Sequence, residues 1–194
     1  MNRKVIIGIL ALQGGFIEHI RALNALGAET FEIRKKDDLR KPADGLILPG
    51  GESTTMSKLL TDLDMFNDLK AIISGGMPVF ATCAGMILLA RKIAGTQTVH
   101  LGIMDITVKR NAYGRQLGSF FVHAPFQELG MVPMTFIRAP FVESAGATVS
   151  VLSIVDDRIV AVRQGNMLAT AFHPELNTDN RIHQYFIEKI VFRT

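Results

Sequence analysis

The chain has 194 residues, is 48% hydrophobic and carries a formal net charge of only +3; it can bury one full core and lacks the basic, aromatic-interleaved stretch of a nucleic-acid binder. One cysteine rules out an intramolecular disulfide and a multi-cysteine metal site, and the five histidines include no pair at close ligand spacing. No run approaches the 18 apolar residues of a membrane span, so the expectation is a cytoplasmic protein with no membrane or nucleic-acid partner and no metal.

Arg3 and Lys4 precede an apolar run, residues 5–12, that imitates the start of a secretion signal. The run is too short, and Gln13-Gly14-Gly15 follows without an A-x-A-like site, so a buried strand over residues 4–12 is the better reading. Ile17, Ile20, Leu23 and Leu26 recur at helical spacing up to Gly27, a stop signal. Residues 30–34, 45–48 and 78–81 read as further strands, with helices at 54–60 and 65–74. Strands alternating with helices predict a parallel sheet covered on both faces, with ligands at the carboxyl ends of its strands. From about His100 the pattern changes to β-branched, alternating runs at 101–109, 119–123, 134–138, 148–155 and 158–163, which predict antiparallel strands and hairpins on one side. A last helix is expected from near Asp179, with Ile182, Phe186 and Ile190 on one face. The fold class is α/β, a three-layer domain spanning 1–194 with a mostly parallel central sheet and antiparallel strands in its second half.

Three segments carry chemistry. Val79-Phe80-Ala81-Thr82-Cys83-Ala84-Gly85-Met86 reads as strand, small-residue turn and helix, which exposes a thiol at a sheet edge beside free helix amides. A lone cysteine is also, often, just a small buried hydrophobe. Thr170-Ala171-Phe172-His173-Pro174-Glu175 offers a base for that thiol, with Glu175 on the same side of an extended backbone to hold the imidazole tautomer; a surface His-Pro-Glu turn is the bland alternative. Leu48-Pro49-Gly50-Gly51-Glu52-Ser53-Thr54 allows close backbone approach to a ligand, and Ser53-Thr54 is expected to cap the next helix. The amides of Gly51 and Ala84 are the candidate oxyanion donors. Arg110, opening Arg110-Asn111-Ala112-Tyr113-Gly114-Arg115-Gln116, and Arg138, within Phe136-Ile137-Arg138-Ala139-Pro140, each end a strand-like run where a guanidinium can take a carboxylate.

Together these motifs resemble the class I (triad) glutamine amidotransferases, and within them the glutaminase subunit of the two-component pyridoxal 5'-phosphate synthase. The resemblance runs from Gly8 to Leu176, nearly the whole chain. It implies Cys83 as nucleophile, His173 with Glu175 as its relay, and contacts to L-glutamine from Gly50, Gly51, Glu52, Arg110, Ile137 and Arg138. It also implies no cofactor, Gln13 near an interface, and a (β/α)₈-barrel synthase partner in a hetero-oligomer that receives the ammonia for vitamin B6 synthesis. The chain departs from that pattern at Gly15, where an acid is usual, at Ala81, where glycine is common, and at Phe121, where glutamate is usual. Two other readings remain: a stand-alone cysteine hydrolase acting on another amide or ester, and an interaction subunit without turnover.

Overall fold

The computed structural model describes residues 4–110 and 118–193. The Asn111 to Gln116 part of the arginine motif therefore lies outside the described residues. The first half alternates as expected: β1 (Ile6–Leu10), α1 (Phe16–Ala25), β2 (Glu29–Ile33), β3 (Gly45–Leu48), α2 (Ser53–Asp62), α3 (Phe66–Ser74), β4 (Val79–Thr82) and α4 (Ala84–Leu89). β2, β1, β3 and β4 pair in that order, all parallel. Every residue of β3 and β4 is buried, as strands covered on both faces require. α1 packs with α5 (Arg181–Tyr185), and α2 packs with α3 and α4. Phe80 on β4 meets Phe186, His19 and His183 on the α1–α5 side.

The second half holds β5 (Ala90–Ile93), β6 (Met104–Lys109), β7 (Ser119–Phe126), β8 (Gly130–Ile137), β9 (Phe141–Ala145), β10 (Ser150–Val155), β11 (Arg158–Gln164) and β12 (Met167–Thr170). It divides in two. β7 and β8 form a separate hairpin, in register from Ser119↔Ile137 to Phe126↔Gly130. The other strands extend the central sheet in the order β12-β11-β9-β6-β5, with β10 on β11.

β12 is the strand that matters for function. It pairs antiparallel with β11 but parallel with β4, so it sits at the seam between the two halves of the sheet. Thr170 is in register with Thr82, and the Cys83 amide donates to the Thr170 carbonyl at 2.8 Å. The chain segments leading to Cys83 and to His173 thus leave the sheet side by side, at the carboxyl edge where the fold class puts its ligands.

Several local expectations change. β5 and β9 are strands that the sequence pattern did not single out; β5 follows α4 without a turn signal, and β9 has Glu143 and Ser144 exposed at its centre. The last helix is regular only through Tyr185 and then widens into a π-helical segment, Phe186–Val191. The cap of α2 is Glu52, whose carboxylate accepts from the amides of Thr54 and Thr55. Ser53 lies inside the helix with its hydroxyl buried and without a hydrogen bond, so it is no cap. Ala81 lies within β4, fully buried, where alanine needs no special backbone conformation.

Candidate active site

Cys83 stands between β4 and α4 with φ 48° and ψ −102°, a left-handed conformation that non-glycine residues rarely adopt. Two features hold it there. Its amide is tied to β12, as above, and the Gly85 Cα lies against β3, so close that a Cβ there would sit 2.1 Å from the Leu48 carbonyl oxygen. Only glycine lets α4 begin against that strand, and the early start of α4 forces the sharp turn at Cys83. The thiol residue is 7% exposed.

His173 follows β12 with its amide donating to the Thr135 carbonyl of β8 at 2.8 Å. Pro174–Leu176 is a 3₁₀ turn that begins immediately after it. Glu175 therefore reaches the imidazole by a helical turn, whereas the sequence reading assumed extended backbone. The outcome is the same pairing: His173 Nδ1 lies 2.7 Å from Glu175 Oε1, and Cys83 lies close enough to His173 to affect its charge. Burial opposes charging the ring, but its interactions with Cys83 and Glu175 raise His173 to about 10. Glu175, itself buried, is held below its ordinary value because the electrostatic influence of the polar His19 ring and the hydrogen bond and charge of His173 outweigh its desolvation. The array favours the charged form of the His173 imidazole, held against the Glu175 carboxylate.

A cleft of about 570 Å³ opens over this array. Cys83, His173 and Glu175 line it together with Gly50, Gly51, Glu52, Arg110, Ile137 and Arg138, so every sequence-predicted site residue but one meets there. The exception is Ala84, which is buried as the first residue of α4 and does not line the cleft. Gly50 covers the pair: a Cβ on it would lie 2.4 Å from His173 Cε1 and 3.4 Å from Cys83 Cβ. The Gly50 carbonyl accepts from the Gly15 amide at 3.1 Å, and the Gln13 side-chain oxygen accepts from the Glu52 amide at 2.7 Å. The glycine turn is thus strapped to the first loop at both ends. Since a trans peptide points its carbonyl and N–H in opposite directions, the Gly51 N–H is directed away from the Gly14–Gly15 turn.

On the open side, Arg110 Nη2 lies 3.2 Å from Glu52 Oε1. Burial works against ionising Glu52, yet hydrogen bonds from Thr55 and Thr54 hold its carboxyl down to about 2. Arg138 also takes a left-handed φ, 44°, with its amide donating to the Gly118 carbonyl. Ile137 beside it is 38% exposed. Among the three departures, Gly15 borders the triad: a Cβ there would stand 3.5 Å from Glu175 Oε1 and 3.6 Å from Glu18 Oε2. Phe121 is 55% exposed and rests edge-on against His123.

A sequence profile of the SNO glutamine amidotransferase family matches residues 9–192. The chain belongs to that family. Among similar family proteins, a Methanocorpusculum labreanum protein named pyridoxal 5'-phosphate synthase subunit PdxT is 59% identical over 184 residues, covering 95% of this chain and 97% of that protein. A Streptococcus pneumoniae protein of the same name is 55% identical over 185 residues, covering 94% and 95%. A solved glutamine amidotransferase with 44% identity superposes at a TM-score of 0.89, over 94% of this chain and 97% of its own. Another, from Thermotoga maritima, shares only 12% identity but the same fold, with a TM-score of 0.63 over 97% and 85%. The family explains the α/β architecture and its seam strand. It does not by itself assign the buried residues behind Glu175. His19 and His183 were noted in the sequence only as lacking metal spacing; their helical positions on apolar faces, beside Leu23 and Phe186, were the available signal.

Proposed function

We propose that Cys83, His173 and Glu175 carry the reaction of this family member, the hydrolysis of L-glutamine to L-glutamate and ammonia. The protein is a glutaminase of the amidotransferase class, and the observation that supports this assignment of roles is the meeting of Cys83 with the hydrogen-bonded His173–Glu175 pair in one cleft. His173 takes the thiol proton, and the resulting thiolate attacks the side-chain carbonyl carbon of glutamine. Negative charge then collects on the carbonyl oxygen, where the Gly51 N–H and the Ala84 N–H at the start of α4 are the proposed donors. His173 gives its proton to the departing nitrogen, ammonia leaves, and a γ-glutamyl thioester remains. Water, deprotonated by the now neutral His173, attacks the thioester and releases glutamate, restoring the thiol. Throughout, Glu175 keeps the proton-bearing Nδ1 turned inward and stabilises the transient imidazolium.

Glutamine recognition falls to the rim. Arg110 and Arg138 supply guanidinium charge for the α-carboxylate. Glu52, ionised at any pH above about 2, supplies the complementary charge for the α-ammonium group. Gly50, Gly51 and Ile137 shape the passage for the apolar stem. The ammonia passes to a (β/α)₈-barrel synthase subunit for pyridoxal 5'-phosphate formation in a cytoplasmic hetero-oligomer, and the whole chain acts as the single glutaminase unit of that assembly. This rests on the PdxT names of relatives more than half identical over nearly their full length. Glutamate release measured with and without the synthase subunit tests both parts: a Cys83-dependent rate that rises on adding the synthase supports them. Equal hydrolysis of unrelated amides would favour a general cysteine hydrolase, and no turnover in either condition would favour an interaction subunit.

A further inference from the structure

Behind the triad lies a sealed polar cluster that the reaction as written does not use. Glu175 Oε1 faces His173, but Oε2 is buried without a hydrogen bond in the ordinary range, and His19 Nε2 of α1 stands 3.5 Å from it. The same His19 nitrogen is 3.2 Å from Thr82 Oγ1, the residue before the nucleophile. Its other nitrogen, Nδ1, is 2.9 Å from His183 Nε2 of α5. His19, His183 and Thr82 are all 0% exposed. Residues from three separate elements therefore gather behind one carboxylate.

One proton arrangement lets His19 serve Glu175. A carboxylate only accepts, so His19 must carry its proton on Nε2 to serve Glu175. A neutral His19 then has a bare Nδ1, which must accept from His183 Nε2–H. That leaves His183 Nδ1 bare, and it is the nitrogen that lacks any partner. Burial lowers both rings, His183 to about 3, which keeps the pair neutral. The contacts are compatible with this donor chain, from His183 to His19 to Glu175, with His173 donating to the opposite oxygen and the Thr82 hydroxyl also within reach of the His19 N–H.

We propose that His19, with its tautomer selected by His183, is a positioning residue that anchors Glu175 through Oε2 and so holds His173 in line with Cys83. The 3.5 Å contact is of the length from which hydrogen bonds at a catalytic site tighten in the reacting complex. The proposal rests on the triad assignment above. It differs from a packing role in one respect: the Nε2 donor matters, not the ring volume.

His19→Gln and His19→Asn separate the two. Glutamine places an amide donor near the Nε2 position, while asparagine reaches only as far as Nδ1 and loses Glu175. Glutaminase turnover is measured with the synthase subunit present, across pH, alongside thermal melts. His19→Asn is expected to lower kcat roughly ten- to hundred-fold, the range for losing a hydrogen bond to a charged group, with KM for glutamine unchanged. The alkaline limb should move to lower pH, because a loosened Glu175 supports the His173 charge less. The titratable groups acting on His19 are Glu175, His173, Glu18 and His183, and those acting on His173 include Glu175 and Cys83. His19→Gln should recover most of the turnover and the wild-type limb. On a Glu175→Gln background, His19→Asn should add little further loss. His183→Leu leaves His19 in place and removes only its tautomer-selecting donor, so it carries the test if His19→Asn does not fold; a smaller loss with the same shift is expected. Equal rates and limbs for the two His19 variants, additive losses with Glu175→Gln, or an unmoved limb in His183→Leu overturn the proposal. A Glu175→Gln variant with full turnover overturns the triad reading instead.

Discussion

The two sides of the cleft are built on different physics. On the triad side, Cys83 and the turn that carries His173 and Glu175 follow strand ends locked in register by β4 and β12, and all three side chains are largely shielded from water. On the rim, Arg110 and Glu52 meet with side chains 38% and 48% exposed, where an ion pair contributes little on its own. Interactions in the dry floor are strong and geometrically strict, so they suit charge that develops in the transition state. The wet rim suits a substrate that must enter and leave with its own charges. The floor should therefore control kcat, and the rim KM.

The largest effect should break the floor outright. Cys83→Ala should abolish glutamine hydrolysis while the far-ultraviolet circular dichroism stays native, and a diazo-ketone glutamine analogue should label only Cys83 in the unsubstituted chain. Residual turnover in the alanine variant would mean the nucleophile lies elsewhere. Next comes the relay. Glu175→Gln should cost less than the roughly 10⁴-fold seen when a serine triad loses its carboxylate, because a thiol ionises more readily, and His173→Asn should cost more than Glu175→Gln. The reverse ranking would reassign the two roles.

Two adjacent glycines sharpen the comparison further. A methyl at Gly50 strikes the imidazole of His173, held beside Glu175, while one at Gly51 strikes the far end of the flexible Gln13 side chain, 2.3 Å away, which is tied only by one hydrogen bond to the Glu52 amide. Gly50→Ala should lower kcat about 10²-fold, the scale for an ångström of misplacement at a reacting centre, and Gly51→Ala much less. Comparable losses for both would show that the floor is not the stricter side. On the rim, Arg110→Ala should raise KM roughly ten-fold or more by removing a charge-assisted contact, with kcat nearly unchanged. A kcat loss as large as that of Glu175→Gln would erase the division of labour.

The mildest test is pH. His173 is raised from 6.5 to about 10 in the folded chain, so its ion pairing stabilises the fold fully below about 6.5 and is lost as pH rises through about 10. The alkaline limb of kcat/KM in the free subunit should fall near pH 10, with the melting temperature declining over the same interval. A limb near 6.5 would mean that His173 is not paired as the geometry shows.

How much of this was legible in the sequence follows the same divide. Short-range patterns were readable: the apolar run before Cys83, the small residues after it, and the alternation of strands and helices up to β4. The pairing of Glu175 with His173 was readable although its backbone route was not, because proline is as comfortable at the start of a 3₁₀ turn as in an extended chain. Glu52 was overlooked as a cap because serine and threonine beside it are the usual occupants of that role. What no local pattern carried was long-range pairing. His19 and His183 are 164 residues apart, and nothing in either helix says that the other completes its hydrogen bonds. β9 was hidden for a related reason: its exposed centre breaks the alternation that marks a strand, and only its neighbours β6 and β11 give it a place.

The seam strand has a consequence for how the protein is made. Until residues 167–170 leave the ribosome, β4 is an open sheet edge, with backbone groups available to any strand that meets it. The partner it awaits is encoded some 85 residues later, so closing the sheet is a long-range and comparatively slow step. The nascent thiol has no base beside it during that interval, and the chain cannot begin consuming glutamine half-built. The same insertion that completes the core also switches on the chemistry, which makes the appearance of glutaminase activity a direct clock for the last stage of folding.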